Sequence, residues 1–226
     1  MKQTLRDYRS PGSAVPTQIG LRKHQDKGRV EAEQFVRDIF YRLHNARVTQ
    51  FMPILMDLRD DAGELLGVLG LREATDTELF LEHYLEQPVE RVLGVVLDEP
   101  VERHDIVEVG NLAVASSGGG RWLITALTSF LYAMHRGWVV FTCGPTLRNS
   151  FRRMGIRLHD LGPANPDRLS ATEAARWGRY YEQSPRVMAS RVSQAYQVLA
   201  VLFDRECALN ALWQCAAVTG GRTRWI

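Results

Sequence analysis

The chain has 226 residues, of which 45% are hydrophobic and 24% charged; this balance suits one core-bearing domain with an extension and excludes disordered and fibrous classes. A formal net charge of +2, with basic residues scattered apart from a small cluster at Arg148, Arg152 and Arg153, excludes a dedicated nucleic-acid binder. Cys143, Cys207 and Cys215 are odd in number and lack metal-ligand spacing, and the histidines are scattered, so buried thiols in a reducing cytoplasm and no metal site are expected.

Residues 1–28 are polar and carry Pro11, Gly12, Pro16 and Gly20, the pattern of a loosely ordered arm. The opening MKQTLRDYRSPGS places charges where a signal peptide needs an apolar run, so a cytoplasmic protein is expected. Val30, Phe35, Val36, Ile39, Phe40 and Leu43 fall at helical spacing and predict a helix over residues 29–43. FMPILMDL and GELLGVLGL, separated by DDAG, predict a hairpin, and ELFLEHYLEQPVERVLG reads as helical at least up to Pro88. Residues 106–114 predict a strand and residues 122–134 an apolar helix ended by Gly137. VVFTC is a short buried strand, and LRNSFRRM a brief helix capped by Thr146 and closed by Gly155. Strand, turn, helix, strand, helix is the alternation of an α/β domain with a parallel pair at its centre.

After Leu161 come a loop, GPANPDRL, and mostly helical patterns through Trp213. The segment VSQAYQVLAVLFDRECALNALW is apolar around much of its circumference and lies on the core, at a homodimer face or against a membrane surface. The mixed charges of Asp204, Arg205 and Glu206 favour the core or the dimer, since an interfacial helix carries a basic polar face. No run is long and apolar enough to span a membrane.

Between the strand and the apolar helix sit Ser116, Ser117, Gly118, Gly119, Gly120 and Arg121. Glycines let several amide N–H groups converge, and a helix N-terminus adds partial positive charge, so this turn suits an anion, with Arg121 as a supplementary guanidinium. It matches neither the Walker loop nor GxGxxG. The plain alternative is a flexible turn.

Residues 107–156, with the pieces EVGNLAV, SSGGGRWL, VVFTC and SFRRMGI, resemble the central part of the GCN5-related N-acyltransferase (GNAT) fold. LFLEHYLEQPVE, VEVGNLAVAS and WGRYYEQSP extend the likeness over residues 29–190 to the thermostable hemolysin family, which is related in turn to acyl-homoserine lactone synthases. The resemblance implies an α/β fold with a mixed, centrally splayed β-sheet flanked by helices: a core over residues 29–165 and a mostly helical extension over residues 166–226. It also implies that the glycine turn binds the pyrophosphate of coenzyme A. The chain departs from these patterns at Ala115, where the pyrophosphate loop usually opens with Gln or Arg. It departs again at Phe151, where a tyrosine often acts as general acid, and at Asn111, where the lactone synthases carry arginine.

The implied activity is transfer of an acyl group, medium or long chain favoured, from acyl-CoA or acyl carrier protein to the amine of a small acceptor. Backbone N–H groups around Leu112 and Val114 would polarise the thioester carbonyl. Strand alternation puts Glu108, Gly110, Leu112 and Val114 on one face and Asn111 on the other. Glu108 is either a base that takes the amine's proton or half of a strand-end salt bridge to Arg103 or Arg72. Asn111 serves the acceptor or bonds to a loop, Gly110 leaves room beside the strand for pantetheine or the acyl chain, and Arg72 recognises an acceptor carboxylate or is a strand-end arginine. Cys143 faces the cleft as a substrate-lining residue or a packed small one; a nucleophile is not needed, because the thioester is already activated. His83, His104 and His135 have no partner constellation and read as structural. The alternatives in other classes are a membrane-active protein, as the family name suggests, and a fold relative that binds a partner without catalysis.

Overall fold

The computed structural model describes residues 15–75, 77–116, 119–203 and 207–223. Seven strands form one sheet in the order β1-β2-β3-β4-β5-β7-β6: β1 (Gln18–Arg22), β2 (Ile54–Arg59), β3 (Leu65–Glu73), β4 (Ile106–Val114), β5 (Trp138–Cys143), β6 (His159–Pro163) and β7 (Arg186–Arg191). Every pairing is antiparallel except β4–β5, and the crossover between these two is the helix α3 (Gly119–Ala133). The expected parallel pair at the centre is therefore present, in a mixed α/β sheet flanked by helices.

One face of the sheet is covered by α3, by α4 (Pro145–Arg153), and by the C-terminal helices α6 (Val192–Phe203) and α7 (Cys207–Arg222). Residues 123–131 of α3 are buried all round because the helix is sandwiched between the sheet and those two helices. Thr125, Thr128 and Ser129 survive there because each hydroxyl has an acceptor: Arg121 O, Ile124 O and, across to α7, Trp213 O. The described parts of the apolar C-terminal segment, in α6 and α7, thus cover α3 and lie on the core. The opposite face carries α1 (Arg29–His44) over one end of the sheet, and α2 (Val89–Leu97) with the 3₁₀ turn Phe80–Tyr84 over the other.

Three local expectations are corrected and a fourth is supplemented. Residues 18–22, expected within a loose arm, form β1, where the Arg22 guanidinium donates to the fully buried Asp57 carboxylate at 2.5 Å. The stretch before Pro88 is a 3₁₀ turn and helix α2 begins after it, because proline disfavours a helical residue at the preceding position. Helix α3 ends at Ala133, and the left-handed residue just past it is His135 (φ 56°), two residues before the expected Gly137. Residues 166–226 are mostly helical as expected, with α6 and α7, but they also contribute β7, which inserts between β5 and β6; its alternation is hidden in sequence because the strand is covered on both faces.

Candidate functional site

The centre of the sheet opens where its two parallel strands part. Pairing of β4 with β5 runs from Ile106–Trp138 to Val109–Phe141 and stops, leaving residues 110–114 and 142–143 diverging. The sheet is splayed there. A cavity of about 1200 Å³ passes through the gap and is lined from both faces of the sheet.

Asn111 sets the divergence. It sits in the left-handed region (φ 50°), which asparagine tolerates better than most residues, and the register with β3 shifts at this point. This bulge inserts an extra residue, so strict alternation fails: Val114 joins Val107 and Val109 against α3, while Ala113 packs against α1. The expectation that Glu108, Gly110, Leu112 and Val114 share one face is therefore corrected. Leu112 packs with Val114 on the α3 side. The Asn111 carboxamide bonds to a loop, accepting from Met52 N–H at 2.9 Å and donating to Gln50 O at 3.4 Å. A Cβ at Gly110 would lie 2.6 Å from the Met52 methyl, so the space left by this glycine holds the end of Met52.

Glu108 lies almost wholly buried opposite Arg72 of β3. Its oxygens accept from Phe80 N–H at 3.1 Å and Leu81 N–H at 2.9 Å, and Arg72 Nη1 stands 3.9 Å away. Burial pushes its carboxyl above the usual range, and the Leu81 amide, Arg72 and the Phe80 amide counteract only part of that. Arg103 serves a different carboxylate, pairing with Glu82 and Glu90 and donating to Thr75 O and Thr77 O. Glu82 in turn accepts from Leu79 and Val89 N–H. Arg103 and Glu82 therefore pin the turn whose amides reach Glu108. Burial pushes Glu82 up as well, but Arg103 and the two amides outweigh it and hold Glu82 below the ordinary carboxylate range.

At the glycine turn, Ser116, Gly119, Gly120 and Arg121 line the cavity where α3 begins; Ser117 and Gly118 lie outside the described residues. A Cβ on Gly119 would press on Val114 at 3.1 Å, so this glycine lets the helix start sit directly on the strand. A Cβ on Gly120 would meet nothing within 4 Å. Arg121 stacks its guanidinium over Trp122 at 5.8 Å. The α3 side of the cavity is apolar: Leu69, Leu127, Phe141, Phe151, Met154 and Leu199. Cys143 also lines it, and burial pushes its thiol up to about 12, so it stays a neutral thiol.

Sequence reasoning missed the other side. Phe40 and His44 at the end of α1, Phe80 and Tyr84 of the 3₁₀ turn, and Trp177 and Tyr180 from residues 177–185 form an aromatic wall beside Glu108 and Arg72. His44 Nδ1 is buried with no hydrogen-bond partner among the described residues, and burial, with Arg179 nearby, lowers its pKa. None of the histidines weighed from sequence lines the cavity. The signal present was the spacing of Phe40 and His44 on one helical face. Gly178 (φ 55°) completes the wall, since a Cβ there would lie 2.3 Å from His44 O.

The sequence model of the family described as thermostable hemolysin matches residues 22–196. No curated protein matches the sequence. Among solved structures, the AHL synthase LasI is similar at 15% identity with a TM-score of 0.55, over 83% of this chain and 95% of that one. A CoA-dependent acyl-homoserine lactone synthase, BjaI, solved with MTA, is similar at 16% identity and 0.55, over 90% of this chain and 100% of its own. FeeM, an N-acyl amino acid synthase from uncultured soil microbes, is similar at 13% identity and 0.53, over 80% and 93%. At these identities the likeness is one of fold, and it is the GNAT-like fold expected from residues 107–156. No helix among the described residues is long and apolar enough to cross a membrane.

Proposed function

The chain belongs to the thermostable hemolysin family, and from that premise we propose that it is an acyltransferase. It moves a medium- or long-chain acyl group from acyl-CoA or acyl carrier protein to the amine of a small acceptor. The observation that carries this reading is the cavity itself: one continuous space runs through the splayed strands, with an apolar wall on one face and a wall of aromatic and charged side chains on the other. Its volume, about 1200 Å³, is just above the range of small-ligand pockets, which run to roughly 1000 Å³, as suits a long donor together with an acceptor.

In this reading the turn at Ser116–Arg121 holds the donor's phosphates with backbone amides and the start of α3. The thioester lies across the gap, its carbonyl towards the β4 edge beyond Val109, which has no β5 partner there. The apolar wall supports the preference for a longer chain. The acceptor amine lies on the aromatic side, where Arg72 offers a cation for an acceptor carboxylate. Glu108 takes the amine's proton, directly or through water, aided by burial that raises its basicity. Undiminished turnover in a folded Glu108→Gln chain would remove it from that role and leave His44 as the base on this wall.

The donor reading is tested by thermal stability against free coenzyme A and acyl-CoA of increasing chain length. The control is Gly120→Glu, which adds a carboxylate to the turn where a side chain has open space. A melting temperature that rises with chain length, by an amount set by ligand concentration over Kd, and no longer rises in Gly120→Glu is expected. No shift with any coenzyme A species leaves acyl carrier protein as the donor to test; no shift with that either ends the transferase reading.

A further inference from the structure

The segment WGRYYEQSP, residues 177–185, reaches into the cavity with Trp177, Tyr180 and Gln183, and its hydroxyls have no part in the proton abstraction by Glu108. Cleaving a thioester with an amine expels a thiolate, and a thiolate leaves faster when a positioned acid protonates it. We propose that Tyr180 is that acid, a catalytic residue of the acyl transfer; the assignment rests on the acyltransferase reading.

The placement comes from β5. Thr142 is the first β5 residue beyond the last pair with β4, so its side chain marks the gap. Tyr180 Oη donates to Thr142 Oγ1 at 3.4 Å, the long limit of a hydrogen bond, so the hydroxyl is only loosely engaged and can turn to a nearer acceptor. Neighbouring hydroxyls are committed elsewhere. Tyr84 and Tyr181 bond to each other at 2.6 Å, and Ser150 Oγ donates to Thr146 O at 3.2 Å within α4. Phe151, on α4 beside the gap, has no hydroxyl and stacks on Phe141 at 5.0 Å.

The Tyr180 ring is also held in place. Trp177, Tyr181 and His44 pack around it at 5.4, 5.3 and 5.4 Å, and the backbone beside it is tied to α1 by Arg179 N–H donating to His44 O at 2.7 Å. Burial raises its phenol pKa, which keeps the group protonated until a base appears. In the step, the amine nitrogen bonds to the carbonyl carbon and the carbon–sulfur bond breaks with its electron pair going to sulfur. Tyr180 Oη passes its proton to sulfur, the nitrogen's proton goes to the base on the aromatic wall, and solvent returns a proton to the phenolate.

The test uses the full chain, decanoyl-CoA as donor and hydroxylamine as a minimal amine, with released thiol as the readout. Tyr180→Phe is expected to lower turnover about 100-fold, within the span of general acid catalysis, while the melting-temperature shift given by decanoyl-CoA stays unchanged. With S-decanoyl-4-nitrothiophenol, whose thiolate departs without protonation, the two chains are expected to agree within about threefold, because the acid contributes nothing there. Thr142→Val, which removes only the partner of the hydroxyl, repeats the same donor-dependent pattern at smaller size and carries the test if Tyr180→Phe does not fold. An equal loss on both donors, or no loss on decanoyl-CoA, overturns the assignment. No thiol release by the unmodified chain from either donor overturns the acyltransferase reading beneath it.

Discussion

The two walls of the cavity are built in opposite ways. The α3-side wall comes from residues 109–116, 119–127 and 141–154, joined by Leu69 and Leu199, and its apolar part is built of Leu69, Leu127, Phe141, Phe151, Met154 and Leu199. The aromatic wall is gathered from four separate places: the end of α1, Arg72 on β3, the 3₁₀ turn, and residues 177–180. Packing density holds the first wall. The second depends on backbone amides, a buried carboxylate and one arginine-centred network, where each missing partner leaves a buried polar group unsatisfied. The difference teaches that the α3 side can tolerate a change of shape at a cost in stability, while the aromatic side cannot lose a polar partner without losing its geometry.

The largest expected effect sharpens the contrast from the α3 side. Leu199 is fully buried on α6 and lines the cavity. Leu199→Ala is expected to cost about 3 kcal/mol in chemical denaturation, through lost transfer energy and the void left behind. The same void lengthens the apolar arm, so the acyl chain giving the greatest thermal shift is expected to move to a longer species. Lost stability with an unchanged chain preference would show that Leu199 supports the wall without shaping it.

A smaller effect is expected from Glu82→Gln, which breaks the network of the aromatic wall. Arg103 keeps Glu90 and is itself part-exposed, so the loss is expected near 2 kcal/mol, below the figure for a fully buried pair. Because the folded state holds Glu82 below its unfolded pKa, this stability is present above the ordinary carboxylate range. It is lost as pH falls through the folded value, so parent and variant converge in acid. Denaturation from neutral pH downward checks it; a constant gap would refute the assigned direction.

The smallest effect has the opposite sign. Glu108 is raised in the folded state, so the folded chain holds its proton longer and stability falls as pH rises from the unfolded value near 4.5 to the higher folded one. Glu108→Gln is expected to remove that decline, so the variant's stability relative to the parent rises across the window. Two carboxylates serving one turn would then answer pH in opposite directions, and equal slopes would break the comparison.

The sequence by itself determined what local pattern encodes. The apolar strand over residues 106–114, the buried helix that follows it, the short strand ending at Cys143, and the parallel pairing that this order requires were all legible, because contiguous residues carry them. The family likeness and the GNAT-like sheet followed from the same block. Tertiary structure decided the rest. Asn111 in a positive-φ bulge redirects β4, and alternation alone cannot signal an extra residue in a strand. Strand β7 looked like part of a helical tail because a strand covered on both faces loses its period of two. His44, Glu108, Phe80 and Tyr180 meet only because α1, β4, the 3₁₀ turn and the segment before β7 converge on one gap. Side chains that far apart in the chain share no local period, and only the folded sheet makes them neighbours.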